Sequence, residues 1–153
     1  RAPQLALSLF DLPAVAQRAR AALAAAGLGT RVSTHGGDFF NDPLPYGADL
    51  ITLVRVVHDH HDKRVARLLR AAHTALVPGG TLLLAEPMAG TRSAPAMGDA
   101  YFGFYLLAMG QGQPRTAQRL STLLQQAGFG EVRQAATAMP LQTGVLLARK
   151  GRT

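Results

Sequence analysis

Two almost continuously apolar runs, Asp49 to Val57 (DLITLVRVV) and Thr81 to Ala85 (TLLLA), are separated by one stretch of helical period. Of all the features of the chain, this spacing most restricts the fold. Apolar runs of that length, bounded by turn residues, are the pattern of strands buried on both faces. Between them, Asp62 offers an N-cap to a helix that carries Val65, Leu68, Leu69, Ala72 and Leu76 on one side. Pro78-Gly79-Gly80 ends that helix. A strand, a helix and a second buried strand in this order form a βαβ crossover with parallel strands.

The same rhythm extends in both directions. Leu5 to Phe10 predicts a strand, Ala14 to Ala26 a helix with Pro13 at its first turn, and Arg31 to His35 a second strand stopped at Gly36-Gly37. Asn41 to Gly47 is a loop holding two prolines. Ala96 to Met109 predicts an apolar helix. Thr116 can cap another helix, with Leu120, Leu123, Leu124 and Ala127 in a stripe before Gly128. Glu131 to Ala136 and Thr143 to Arg149 are closing strands. The expected fold class is α/β, with a mostly parallel, twisted sheet covered on both faces.

Composition narrows the function. With 153 residues the chain is about one domain, and 48% hydrophobic against 16% charged residues exclude a disordered tail. The absence of cysteine excludes a disulfide framework, a thiolate metal site and a cysteine nucleophile. No apolar run approaches the roughly 18–20 residues needed to span a bilayer. The first residues do not have the pattern of a signal peptide, and without an initial Met the chain is expected to be a piece of a longer one. Sixteen Lys and Arg against nine Asp and Glu give a net charge of +7. Arginines such as Arg18, Arg31, Arg55, Arg70 and Arg133 are dispersed, without the clustered footprint of a nucleic-acid binder, so nucleic acid is not an expected partner.

Several residues fall at the carboxyl ends of predicted strands, where α/β sheets bind ligands. Asp11 there can hold ribose hydroxyls or cap the following helix. Asp38 with Phe39 can hold an adenine, or Asp38 can build a turn with Phe39 and Phe40 in the core. Arg55, His58, Asp59, His60, His61 and Asp62 crowd one strand end. Adjacent histidines on an extended chain point to opposite sides and lack the helical H-E-x-x-H spacing, so no metal is expected. A single histidine as general base suits the position better, with Glu86 emerging on the same sheet edge as its orienting partner. The stretch Tyr101 to Met109 is apolar around much of its circumference, which calls for full burial or an apolar ligand. No Gly-rich phosphate turn stands before Asp11, so a first βα unit is expected to lie outside the chain.

In order along the chain stand Phe10-Asp11-Leu12-Pro13, Gly37-Asp38-Phe39-Phe40, Val57-His58-Asp59-His60-His61-Asp62, Pro78-Gly79-Gly80, Glu86, Arg115-Thr116 and Ala127-Gly128-Phe129. This series resembles the S-adenosylmethionine-dependent O-methyltransferases of the plant caffeate and bacterial polyketide type, over nearly the whole chain. The run Val54 to Asp62 and the stretch 98–110 look most like the carotenoid 1-hydroxyl branch. The resemblance implies a Rossmann-like, doubly wound methyltransferase sheet truncated at its N-terminal βα unit. Residues 1–153 would then be the C-terminal part of the catalytic domain, lacking the family's dimerisation domain and Gly-rich cofactor strand. The isolated chain would be inactive or a weak cofactor binder.

By the same resemblance, S-adenosyl-L-methionine is the cofactor, with Asp11 on its ribose, Asp38 and Phe39 on its adenine and Arg55 nearby. His58 would be the base and Glu86 its flanking acid. Met88, Tyr101, Tyr105 and Met109 would line a pocket for a hydrophobic hydroxylated substrate. A second acid often precedes the family's Arg-Thr pair, but Pro114 stands there in this chain. The alternatives are a phenolic or polyketide acceptor, or a non-catalytic domain that binds through its basic surface. A homodimer, a cytoplasmic location and peripheral membrane contact are the further expectations.

Overall fold

The computed structural model describes residues 2–90, 103–104, 112–138 and 143–152, in two compact units, Arg1–Pro45 and Tyr46–Thr153.

In the first unit, β1 (Leu7–Asp11) and β2 (Val32–Gly36) pair in parallel, from Leu7 opposite Val32 to Asp11 opposite Gly36. The helix α1 (Pro13–Ala25) joins them. Pro at its first position suits a site where the missing N–H was never needed. Gly36 and Gly37 are required by space. A Cβ on Gly36 would lie 2.9 Å from Pro13 Cα, and one on Gly37 would lie 2.6 Å from the Phe10 ring. The two glycines therefore let the chain turn tightly past the end of β1.

The second unit holds a four-stranded sheet in the order β3–β4–β8–β7. Its strands are β3 (Ala48–Val54), β4 (Leu76–Glu86), β7 (Val132–Ala135) and β8 (Gly144–Arg149). The helix α2 (Asp62–Ala75) makes the crossover from β3 to β4, which run parallel as the spacing predicts. Beyond β4 the sheet is mixed rather than mostly parallel, because β8 runs antiparallel to both β4 and β7. The connection from Ala135 to Gly144 is too short for a crossover helix, so β7 and β8 can only form a hairpin. A two-residue parallel pair, β5 (Met88–Ala89) with β6 (Arg115–Thr116), lies beside the sheet's carboxyl end. The helix α3 (Ala117–Gln126) follows, and Thr116 caps it by accepting the Arg119 N–H at 3.2 Å.

The core is continuous through this unit. Val65, Leu68, Leu69 and Ala72 of α2 and Leu120, Leu123 and Leu124 of α3 are buried with Leu82 and Leu84 of β4 and Leu146 and Ala148 of β8. Strand β3 departs from expectation in two ways. Leu50 and Val54 are 51% and 55% exposed, so it is not buried on both faces; it is the edge strand of its sheet. It also ends at Val54, because Arg55 adopts a left-handed φ of 55° and Val57–Asp59 form a 3₁₀ turn. On β4, the segment Val77 to Gly80 is taken up in a bulge between Leu76 and Thr81, so the Pro-Gly-Gly signal marks an irregularity inside a strand. Of the expected helix Ala96–Met109, residues 103 and 104 are described and are helical.

Candidate active site

Strand β4 ends at Glu86, whose carboxylate is 1% exposed. Its chemistry is explained by what it accepts. Oε1 takes the backbone N–H of Val56 at 2.9 Å and of Val57 at 2.7 Å, and Oε2 lies 2.7 Å from Nδ1 of His58. Three donors thus converge on one carboxylate and close the 3₁₀ turn over the sheet end. An acceptor-only group facing Nδ1 selects the tautomer with the ring proton on Nδ1 and leaves Nε2 as the basic nitrogen. His58 is itself 5% exposed. The meeting of His58 and Glu86 follows from β3 and β4 being parallel neighbours, as the sequence predicts.

A second carboxylate approaches the other nitrogen. Asp59 Oδ1 lies 3.2 Å from His58 Nε2, with its side chain 37% exposed. That oxygen is buried and receives no aligned hydrogen bond.

The turn is gripped from below by a residue whose role sequence reasoning missed. Arg115, 3% exposed, donates from Nη1 to the carbonyls of Val57 and Gln113, each at 3.1 Å, and from Nη2 to that of His60 at 2.7 Å. Its Nε donates to Asp62 Oδ1 at 2.7 Å. The Gln113 N–H reaches the His58 carbonyl at 2.8 Å. Val57, His58, Glu86, Gln113 and Arg115 line one small recess with Pro87 and Leu120. The only signals in the sequence are that Arg115 adjoins a helix cap and that Asp62 opens α2. Asp62 is not the expected N-cap, a place held by His61, whose side chain makes no cap bond. The Asp62 carboxylate is engaged instead by Arg115 and Arg119. Burial would raise its pKa, but hydrogen bonds from Arg119 and Arg115 outweigh that and hold it below the usual carboxylate range. Burial, then Arg64, lowers that of His60.

In the first unit, Asp11 ends β1 and its Oδ1 accepts the Leu12 N–H at 2.7 Å. The N-cap of α1 is Leu12, without a side-chain cap bond, so Asp11 does not serve as the cap. Asp38 builds a turn, accepting the Phe40 N–H at 2.9 Å and the Asn41 amide at 2.6 Å. Phe40 is buried and meets the half-buried Phe39 edge-on, ring centroids 4.6 Å apart.

Arg55 is exposed just beyond β3. Met88 is buried against Gly144 of β8. Tyr101, Tyr105 and Met109 lie outside the described residues. Among the described residues, no three His, Asp or Glu side chains converge as metal ligands would, and no helix is long and apolar enough to cross a membrane.

The sequence pattern of the family described as O-methyltransferase domain matches residues 1–130. The chain is 41% identical over 149 residues to demethylspheroidene O-methyltransferase of Rhodobacter capsulatus, covering 97% of this chain and 36% of the relative. The enzyme of the same name from Cereibacter sphaeroides is 45% identical over 131 residues, covering 86% and 35%. Among solved structures, human N-acetylserotonin methyltransferase in complex with SAM superposes with a TM-score of 0.82 at 30% identity, over 97% of this chain and 41% of that one. The chain thus spans about a third of the length of these curated relatives.

Proposed function

Since this chain belongs to the O-methyltransferase domain family, we propose that it forms the base-bearing part of a catalytic domain that methylates the hydroxyl of a hydroxycarotenoid, with S-adenosylmethionine as cofactor. The observation that carries this reading is the saturated Glu86 carboxylate, which holds Nδ1 of a buried His58 and leaves Nε2 as the basic nitrogen. The demethylspheroidene enzymes at 41% and 45% identity support the choice of acceptor.

The residues present fit the cofactor. Asp11 offers a carboxylate at the carboxyl end of a parallel strand, uncommitted to helix capping, where a ribose diol is held in folds of this kind. Asp38 and Phe39 follow the neighbouring strand and suit an adenine edge and face. Arg55, directly after β3 and just before the turn that carries His58, is the further residue proposed to meet the cofactor. When bound, S-adenosylmethionine supplies an electrophilic methyl on a sulfonium. His58 Nε2 accepts the hydroxyl proton as the acceptor oxygen attacks. Glu86 keeps the ring oriented, and the clamp of Gln113 and Arg115 keeps the turn in place.

Holding the reactants in line can be worth roughly 7–11 kcal/mol, and the base adds about 10²–10⁴-fold. An alcohol is a weak acid, so the base contributes more here than it would with a phenol. Met88, Tyr101, Tyr105 and Met109 are the proposed lining for the apolar acceptor. Peripheral membrane contact suits a lipid-soluble substrate, and the complete protein is proposed to be a homodimer, which light scattering would check.

The test is transfer of labelled methyl from S-adenosylmethionine by the protein in its full coding context, offered a 1-hydroxycarotenoid and a catechol separately. Transfer to the carotenoid is expected, and transfer to the catechol alone would overturn the acceptor. His58→Ala is expected to lose turnover while still binding cofactor. Unchanged turnover would remove His58 from the mechanism.

A further inference from the structure

The outward face of α2 is charged in a way that works against the helix itself. Its apolar side is fully used, since Val65, Leu68, Leu69 and Ala72 are at most 1% exposed. The other side carries Lys63, Arg67, Arg70 and Thr74 in one row at helical spacing, with Arg64 beside it, and all five are exposed. From Lys63 to Ala75 the helix has four Lys and Arg and no carboxylate. Like charges stand at i,i+4 in Lys63 with Arg67, and at i,i+3 in Arg64 with Arg67 and Arg67 with Arg70, pairings that weaken a helix. Lys63 and Arg64 also lie in the first turn, where the helix dipole disfavours a cation. Asp62, the single acid of α2, is engaged by Arg115 and Arg119. The helix packed beside it, α3, supplies no acid, and its one charged residue is the exposed Arg119. At the far end Lys150 Nζ donates to the Leu76 carbonyl at 2.7 Å and adds a further cation. Helix stability does not account for this arrangement.

We propose that this face of α2 docks on an anionic bilayer surface and so brings the base to an acceptor held in lipid. The proposal rests on the methyl-transfer reading, because a hydroxycarotenoid is a long hydrocarbon that resides in lipid. Clusters of about four to eight Lys and Arg on an amphipathic helix are the pattern drawn to acidic headgroups. The row is about 16 Å long at helical rise and convex, a shape that meets a plane. It carries no aromatic side chain on which a nucleobase could stack. Because the apolar side of α2 is spent in the core, the helix cannot insert. Contact is therefore electrostatic, reversible and weakened by salt. The row also begins beside the base, since His61 is the N-cap residue of α2 and His58 lies in the turn just before it. Docking by this face sets the base turn next to the headgroups.

The test is cosedimentation of the protein in its full coding context with two kinds of vesicle, phosphatidylcholine alone and phosphatidylcholine with phosphatidylglycerol in equal parts. Binding is expected to the mixed vesicles only, falling steeply from low to physiological salt. Lys63→Gln, Arg67→Gln and Arg70→Gln together are expected to weaken it roughly a hundredfold. A second triple variant, Arg18→Gln, Arg133→Gln and Arg152→Gln, removes the same charge from exposed positions elsewhere and should keep most of the binding. The first variant should unfold at no lower urea than wild type, since it loses like-charge pairs. Its kcat on a detergent-dispersed acceptor should match wild type, while its rate on acceptor held in mixed vesicles should fall with binding. Four outcomes would each overturn the proposal: no binding of wild type to mixed vesicles, undiminished binding by the first variant, equal losses in the two variants, or tighter binding to duplex DNA than to mixed vesicles at the same salt. Cosedimentation needs no turnover, which separates this surface from the reading beneath it. If wild type methylates neither a hydroxycarotenoid nor a catechol, the methyl-transfer reading falls, and the vesicle measurements still decide what α2 binds.

Discussion

Glu86 accepts three N–H groups and donates none, which makes it intolerant of even the mildest change. Glu86→Gln puts an amide NH₂ against either two backbone donors or His58 Nδ1. In the second case His58 must move its proton to Nε2, the wrong tautomer for a base. A buried donor or acceptor left unmatched costs about 1–3 kcal/mol, so urea unfolding should report a loss of that size and the proposed methyl transfer should collapse with it. Arg115 is the structural counterpart. Its planar fork satisfies three carbonyls and Asp62 at once, which an ammonium cannot reproduce. Arg115→Met is expected to destabilise by about 1–3 kcal/mol, because the carbonyls it serves lose a donor while Asp62, 30% exposed, keeps Arg119. A loss under 1 kcal/mol in the same assay would show the clamp to be idle.

The elements carry their own constraint where β8 passes Met88. A Cβ on Gly144 would come within 3.0 Å of both Cγ and Cε of Met88, and closer still to its sulfur. Gly144→Ala should therefore cost about 1–3 kcal/mol as overpacking. Met88→Ala alone should cost about 2–5 kcal/mol through lost burial. Together they should cost less than the sum, because the new methyl enters the space the thioether leaves. Additive losses in the double-mutant cycle would mean the two residues do not share that space. Element identity was readable from local pattern, and α2 and α3 fall where apolar periodicity places them. The end of β3 was not, since it depends on Glu86, 29 residues on, taking the Val57 amide out of the strand.

For the molecule as a whole, acidification should lower stability in two stages. His73, edge-on to Phe129, has its pKa lowered from 6.5, first by burial and then by Lys150. The folded state therefore binds fewer protons than the unfolded chain just below pH 6.5, so this stability is present above that value and lost as pH falls through the folded pKa. His60 acts in the same direction. Asp62 is held below 3.8, so its contribution is present above that value and lost on further acidification through its folded pKa. The urea midpoint followed against pH should show both declines, and His73→Gln should flatten the upper one. No change in the upper decline would show that His73 is not its source.

The sequence by itself determined the α/β class, the βαβ crossover and the meeting of His58 with Glu86. Each follows from periodicity within an element and from the parallel pairing that a crossover helix imposes. Only the tertiary structure decided the mixed sheet, the Arg115 clamp and the approach of Asp59 to Nε2. Arg115 joins groups 53 and 58 residues away, and no local pattern distinguishes a buried arginine from a solvated one. Asp59 is adjacent to His58, yet its position depends on a left-handed residue, a 3₁₀ turn and carbonyls anchored by a distant strand. Local sequence sets which elements form. The need to pair buried carbonyls, amide N–H groups and carboxylates sets which side chains meet at their ends.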